Sequence, residues 1–312
     1  MSENCFEYYQ VFFRTKSGGR GVDYNTAKAE FLSVYRKYTI QILLDLPAKM
    51  RFHVVIPDIS SDQVADLAKR LGYTYGILKV KEEPYLGGEL YAKNTARWVV
   101  GTIRIGDKKL HLMEIYRQNE KERLENSPNQ RTFLIEKDGI IKEAKGYRRK
   151  RAVAPNDAKF IINVSELNEN EIIIDPFAGT GGLLIECLSR RIKAFASDID
   201  PVVRPGLAKL TDNRFTIADA QNLPFKNNIF DAVITEPPFG SKHRQNVLNS
   251  LPEICRIIKQ DGKIVLLIAQ DMYDSIKDYM VENGFSIKYD FTLRRHGKLI
   301  SRVIRFEKNK TI

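Results

Sequence analysis

The sequence is poor in cysteine, has fewer acids than bases and is without any long apolar run. Cys5, Cys187 and Cys255 are odd in number and far apart. That excludes a disulfide framework, argues against a zinc cluster and fits a reducing, cytoplasmic setting. His53, His111, His243 and His296 stand at no metal-ligand spacing, so no metal is expected. No stretch of eighteen consecutive apolar residues occurs, so no membrane span is expected. The opening Met1-Ser-Glu-Asn-Cys-Phe-Glu7 lacks the basic-then-apolar order of a secretory signal, and none is expected. There is no Gly-Lys-Ser/Thr phosphate loop and no serine elbow, which removes two large enzyme classes.

The excess of base over acid is uneven. The chain has 50 Lys and Arg against 39 Asp and Glu, a formal charge of +11. Residues 1–151 hold 28 against 19, and the remainder 22 against 20. A basic half joined to a near-neutral half suits a polyanion-binding module attached to a second domain.

The balance of 43% hydrophobic and 29% charged residues over 312 positions is that of two globular domains. The expected division is a basic α+β domain over 1–118, a linker with a basic hairpin over 119–151, and an α/β domain over 152–312. In the first, Tyr8–Arg14, Arg51–Ile56, Trp98–Ile105 and Lys108–Tyr116 read as strands, and Thr26–Tyr38 and Ser61–Leu71 as helices. Ser60 or Ser61 can cap the second helix and Gly72 can stop it. In the linker, Thr132–Glu136 turns at Lys137-Asp138-Gly139 into Ile140–Lys142. Four cations behind an aromatic follow, Tyr147-Arg148-Arg149-Lys150-Arg151.

The last part alternates strand and helix. Strands are expected at Glu171–Asp175, Ala194–Ser197, Phe215–Ala218, Ile229–Glu236, Lys263–Ala269, Phe285–Phe291 and Leu299–Phe306. Helices are expected at Gly182–Arg190, Pro201–Leu210 (interrupted by Pro205), Val247–Ile258 and Asp271–Asn283. Runs such as Ile172-Ile-Ile174 and Ile264-Val-Leu-Leu-Ile268 need burial on both faces. The pattern is a mostly parallel seven-stranded sheet covered by helices.

The first strand–helix turn is Asp175-Pro-Phe-Ala-Gly-Thr-Gly-Gly182. Its glycines let the backbone approach a ligand closely, and the helix behind presents free N–H groups. A carboxylate opening the loop suits a cationic amino group and repels pyrophosphate, which favours an amino-acid-bearing nucleoside over a dinucleotide. The second strand ends in Ser197-Asp198-Ile199-Asp200, where an acid can accept both ribose hydroxyls. Asp198 is favoured for this, since Asp200 reads as the cap of the helix at Pro201. The third ends in Ala218-Asp219-Ala220, where Asp219 can accept from an adenine amine or serve only its loop. The fourth ends in Thr235-Glu236-Pro237-Pro238-Phe239-Gly240. A carboxylate, a proline carbonyl and an aromatic ring together suit a planar amine. His243 follows closely, either to position an anionic substrate or as part of a solvated loop. Cys187 and Cys255 read as core residues.

Asp175-Pro-Phe-Ala-Gly-Thr-Gly-Gly-Leu-Leu-Ile-Glu186 with Glu236-Pro-Pro-Phe-Gly240 resembles the class I AdoMet-dependent amino-methyltransferases. The likeness is greatest to the tRNA guanosine-N2 methyltransferases that carry an N-terminal THUMP domain. Ala154–Val164 resembles the helix that precedes their sheet. The resemblance covers about Arg151–Glu307; before it, only size, position and charge agree. It implies a Rossmann-like methyltransferase domain that uses S-adenosyl-L-methionine. Asp175, Gly179, Thr180 and Gly181 would hold its methionine part, Asp198 its ribose and Asp219 its adenine, with Phe177, Ala178, Ile199 and Ala220 also binding the cofactor. Glu236, Pro237, Pro238 and Phe239 would form the catalytic turn, and Tyr147 with Arg148, Arg149, Lys150 and Arg151 would contact tRNA or another RNA. The sequence departs at Glu236, where the family has Asp or Asn. One methylene moves the acceptor by about 1.5 Å, which matters where reacting atoms must align. Methylation of a peptide, protein side chain or small amine, and a non-catalytic RNA-binding module, stay open as alternatives. Oligomeric state has no signature.

Overall fold

A computed structural model describes residues 8–14, 22–81, 99–105, 108–118, 133–143, 153–295 and 299–309. The chain divides into two compact units, the first ending at Glu120 and the second running from Lys121 onward.

In the first unit, β1 (Tyr8–Phe13), β2 (Gln41–Leu46), β3 (Arg51–Val55), β4 (Thr74–Lys81), β5 (Val99–Ile105) and β6 (Lys108–Arg117) form one sheet in the order β2-β3-β1-β4-β6-β5. Every pairing given for it is antiparallel. Helices α1 (Tyr24–Val34) and α2 (Ser61–Ala68) accompany it. Ser60, rather than Ser61, caps α2, in a reciprocal box with Gln63. Two strands, β2 and β4, are absent from the sequence reading. β2 has no inward-outward alternation to reveal it, because all six residues are exposed or half-buried; its pairing with β3 makes it a strand.

The second unit opens with the hairpin β7 (Leu134–Lys137) and β8 (Ile140–Glu143), so the hairpin expected within a linker is packed into this unit. It continues with α3 (Pro155–Val164), β9 (Ile172–Asp175), α4 (Gly182–Ser189), β10 (Lys193–Asp198), α5 (Arg204–Thr211), β11 (Phe215–Ile217), β12 (Phe230–Thr235), α6 (Arg244–Ile257), β13 (Ile258–Ala269), α7 (Tyr273–Glu282), β14 (Phe285–Arg294) and β15 (Ile300–Lys308). The seven strands β9–β15 stand in the order β11-β10-β9-β12-β13-β15-β14. The first five are parallel to their neighbours, and β15 returns antiparallel between β13 and β14.

The apolar runs are buried as their composition requires: Ile173, Ile174 and Ile264–Leu267 have no exposed surface. Pro205 does not interrupt a helix. It lies in the first turn of α5 after a short 3-10 turn at Pro201–Val203, where the missing N–H costs nothing. Beside it Gly206 takes the ring of Phe133: a Cβ built there would stand 2.2 Å from that ring. With the Arg204–Glu136 ion pair, this contact docks the hairpin on α5. No helix among the described residues is long and apolar enough to cross a membrane.

Candidate active site

The C-terminal ends of β9, β10, β11 and β12 lie side by side, and each carries one element of the site. Asp175 ends β9 with 2% of its surface exposed. Its Oδ1 accepts from the Thr235 hydroxyl at 2.5 Å and from the Phe177 amide at 3.1 Å. Burial pushes its carboxyl up to about 7, against the lowering effect of those two hydrogen bonds; the charges of Asp198 and Glu236 push the same way as burial.

The loop after Asp175 is tied to β10. Ala178 N–H donates to the Ser197 carbonyl at 2.9 Å and Gly179 N–H to Asp198 Oδ2 at 2.6 Å. Gly179 and Gly181 have φ of 53° and 75°, a region where an L side chain is strained, and Gly181 caps α4. Thr180 is fully buried and Ala178 nearly so, while Phe177 packs against the core.

Asp198 is 7% exposed and its second oxygen accepts from the Asp200 amide at 2.9 Å. Asp200 caps the 3-10 turn through Val202 N–H, the role expected of it. Ile199, between them, is 66% exposed. The β11 end joins in through Ala218 N–H on the Asp198 carbonyl. Asp219 is exposed and accepts from the Gln221 amide, with Ala220 buried behind it.

Glu236 follows β12, next to the Thr235 that holds Asp175. Pro237 is buried, Pro238 and Phe239 are half-buried, and Gly240 turns the chain with φ 101°. Glu236 Oε1 is paired with Nη1 of Arg295. Arg295 Nε lies 3.3 Å from Asp157 Oδ2 on α3, and its guanidinium carbon is 5.5 Å from the centroid of the Phe239 ring. Burial raises the Glu236 carboxyl, and Arg295 is the main force against that rise.

Thr235, Arg295 and Asp157 are missing from the sequence reading. Thr235 stands in the quoted motif, but only the adjacency of β12 and β9 gives it a partner. Arg295 has no sequence signal: it is 59 residues from Glu236. Tyr147 and Arg148, Arg149, Lys150 and Arg151 lie outside the described residues. His243 is half-buried at the end of a 3-10 turn whose other residues, Ser241 and Lys242, are exposed. Cys187 is buried on α4 and Cys255 partly buried on α6. No cluster of metal-binding residues occurs among the described residues.

This strand order, with acids at successive strand ends beyond a glycine loop, is the class I methyltransferase fold. A family described as conserved hypothetical protein 95 matches residues 157–281. The solved structure of TrmN from Thermus thermophilus aligns over 97% of this chain and 99% of its own, with a TM-score of 0.52 and 15% identity. At that identity the likeness is one of fold. Within the class, the chain is similar to the tRNA (guanine(10)-N2)-dimethyltransferase of Methanothermobacter thermautotrophicus, 26% identical over 166 residues, 49% of this chain and 48% of the relative. It is also 30% identical over 124 residues to human tRNA (guanine(10)-N(2))-methyltransferase TRMT11, 31% of this chain and 27% of that one. The chain thus spans half or less of the length of these relatives, and the resemblance read from the Asp175 and Glu236 motifs is to the same group.

Proposed function

We propose that the chain transfers a methyl group from S-adenosyl-L-methionine to an exocyclic amine of an RNA base, with N2 of a tRNA guanosine as the acceptor. One observation carries this reading. The Asp175–Gly181 loop and the Glu236–Phe239 turn stand on adjacent strands and are joined by the Thr235–Asp175 hydrogen bond.

The residues suit the cofactor. Asp175 is a buried carboxylate whose partners are only neutral donors, a place where a cationic amino group relieves the desolvation of the charge. Gly179 and Gly181 leave room for close approach, and Asp198 has lone pairs beyond those its two backbone donors use. Ile199 offers an uncovered apolar face to a flat ring, and Asp219 follows the neighbouring strand β11, where a carboxylate can accept from an amine. When bound, the cofactor supplies an activated methyl. The chain orients the acceptor nitrogen: Glu236 accepts an amine N–H and Phe239 backs the ring. Catalysis on this reading is proximity and exclusion of water.

Arg295 pairs with Glu236, so that carboxylate is already neutralised and has less pull on a cationic amine; this favours a neutral base amine over a basic peptide or small-molecule amine. The basic residues 1–151, with a THUMP-like module within them, would grip phosphates without reading sequence. The test is incubation with labelled S-adenosyl-L-methionine and unmodified total tRNA, followed by nucleoside analysis. Labelled N2-methylguanosine, lost on Glu236→Ala, is the expected result. Label in protein, or cofactor binding without label in any RNA, would overturn it.

A further inference from the structure

Glu236 carries one methylene more than the Asp or Asn that the resembling family has at this place, and in the structure that extra length meets Arg295. The arginine leaves the end of β14 and touches three parts of the site at once: Glu236 on the β12 turn, Asp157 on α3 and the ring of Phe239. The side chains of Arg295, Asp157 and Glu236 are 15%, 16% and 20% exposed, so the pair sits where solvent screens little. We propose that Arg295 is the positioning residue of Glu236, an ion-pair partner that fixes the longer carboxylate at the acceptor turn and supplies its counter-charge. The inference rests on the methyl-transfer reading above.

Charge and geometry argue together. Among the described residues, the charged groups facing Glu236 are Arg295 after β14, Asp157 on α3 and Asp175 on β9. Two of the three are acids, so without the arginine a third carboxylate in this buried place would hold its proton. A protonated carboxyl spends one oxygen as a donor and accepts an amine N–H less well. With Arg295 on Oε1, the carboxylate remains an acceptor. Among the described residues no hydrogen bond is made to Oε2, which leaves that oxygen to the substrate. Stacking on Phe239 and the contact with Asp157 keep the guanidinium from following Glu236 elsewhere. A short Asn needs no such partner, because an amide oxygen accepts without a charge. The arginine and the longer acid therefore form a matched pair.

The experiment has two readouts. The first is the titration of the Glu236 carboxyl, followed by carbon-13 NMR in the full-length protein without cofactor; the second is the pH profile of tRNA methylation. Arg295→Met is expected to move the Glu236 titration upward and to carry the activity profile with it. A titration one unit above the assay pH leaves about a tenth of the carboxylate ionised, so the loss at neutral pH recovers in alkali. Arg295→Lys keeps the charge and is expected to move the titration less. Adding Glu236→Asn to Arg295→Met is expected to raise activity above that of Arg295→Met alone. A merely structural arginine would give a pH-independent loss that Asn does not rescue. An unmoved Glu236 titration in Arg295→Met, or in Arg295→Gln should the first not fold, overturns the proposal. If the wild-type protein methylates no RNA, the functional reading fails while the titration still judges the ion pair.

Discussion

Asp175 is held between opposing effects, and its titration exposes them. Its carboxyl stands at about 7 in the folded chain against an ordinary 3.8. Between those values the folded state binds a proton that the unfolded state has lost. The stability this group contributes is therefore full below 3.8 and disappears as pH rises through 7. Urea unfolding from about pH 5 to about pH 8 is expected to show stability falling along this range from this source. Asp175→Asn, which cannot ionise, flattens that part of the curve. Thr235→Val tests the neighbouring contact. It leaves a buried carboxylate oxygen short of a donor, so a loss of about 1–3 kcal/mol is expected by denaturant titration. Thr235→Ser, which keeps the hydroxyl, should lose much less.

Among the elements, the hairpin β7–β8 stays on α5 because a glycine admits a ring. Gly206→Ala would set a methyl 2.2–2.5 Å from three atoms of the Phe133 ring, and ring and helix must separate. A destabilisation of about 1–3 kcal/mol is expected, with earlier proteolytic cutting of the hairpin; a second change, Phe133→Leu, should recover part of it. Apart from α3, which only the resemblance suggested, the strands and helices of the second unit's sheet were readable from the sequence because they satisfy local rules: apolar runs for buried strands, glycines at the cofactor loop, a proline at a helix start. β2 was not, since an exposed edge strand has no buried face to pattern it. The misreading of Pro205 has the same root: a proline reads as a break or as a first turn according to where the helix begins, and the turn at Pro201–Val203 decides that.

For the whole molecule, the excess of positive charge in residues 1–151 bears on the partner. On the proposed reading, RNA affinity should fall linearly in log–log terms as salt rises, by about 0.7–0.9 in slope for each phosphate contact. Charge-reversing Arg148 and Arg149 should make that slope shallower, as read by filter binding across a salt series. By itself the sequence determined the alternation of strands and helices, the burial of the sheet, and the acids Asp175, Asp198 and Asp219 at successive strand ends. Those features follow from residues within a turn or a strand of one another. Which strand ends face each other was decided by tertiary structure alone. Thr235 meets Asp175 across 60 residues and Arg295 meets Glu236 across 59, because β12 pairs with β9 and β14, antiparallel to β15 and so running the same way as β12, ends at the same edge of the sheet. Strand order depends on long-range packing that no local pattern encodes, so the counter-charge of Glu236 came into view only in the folded chain.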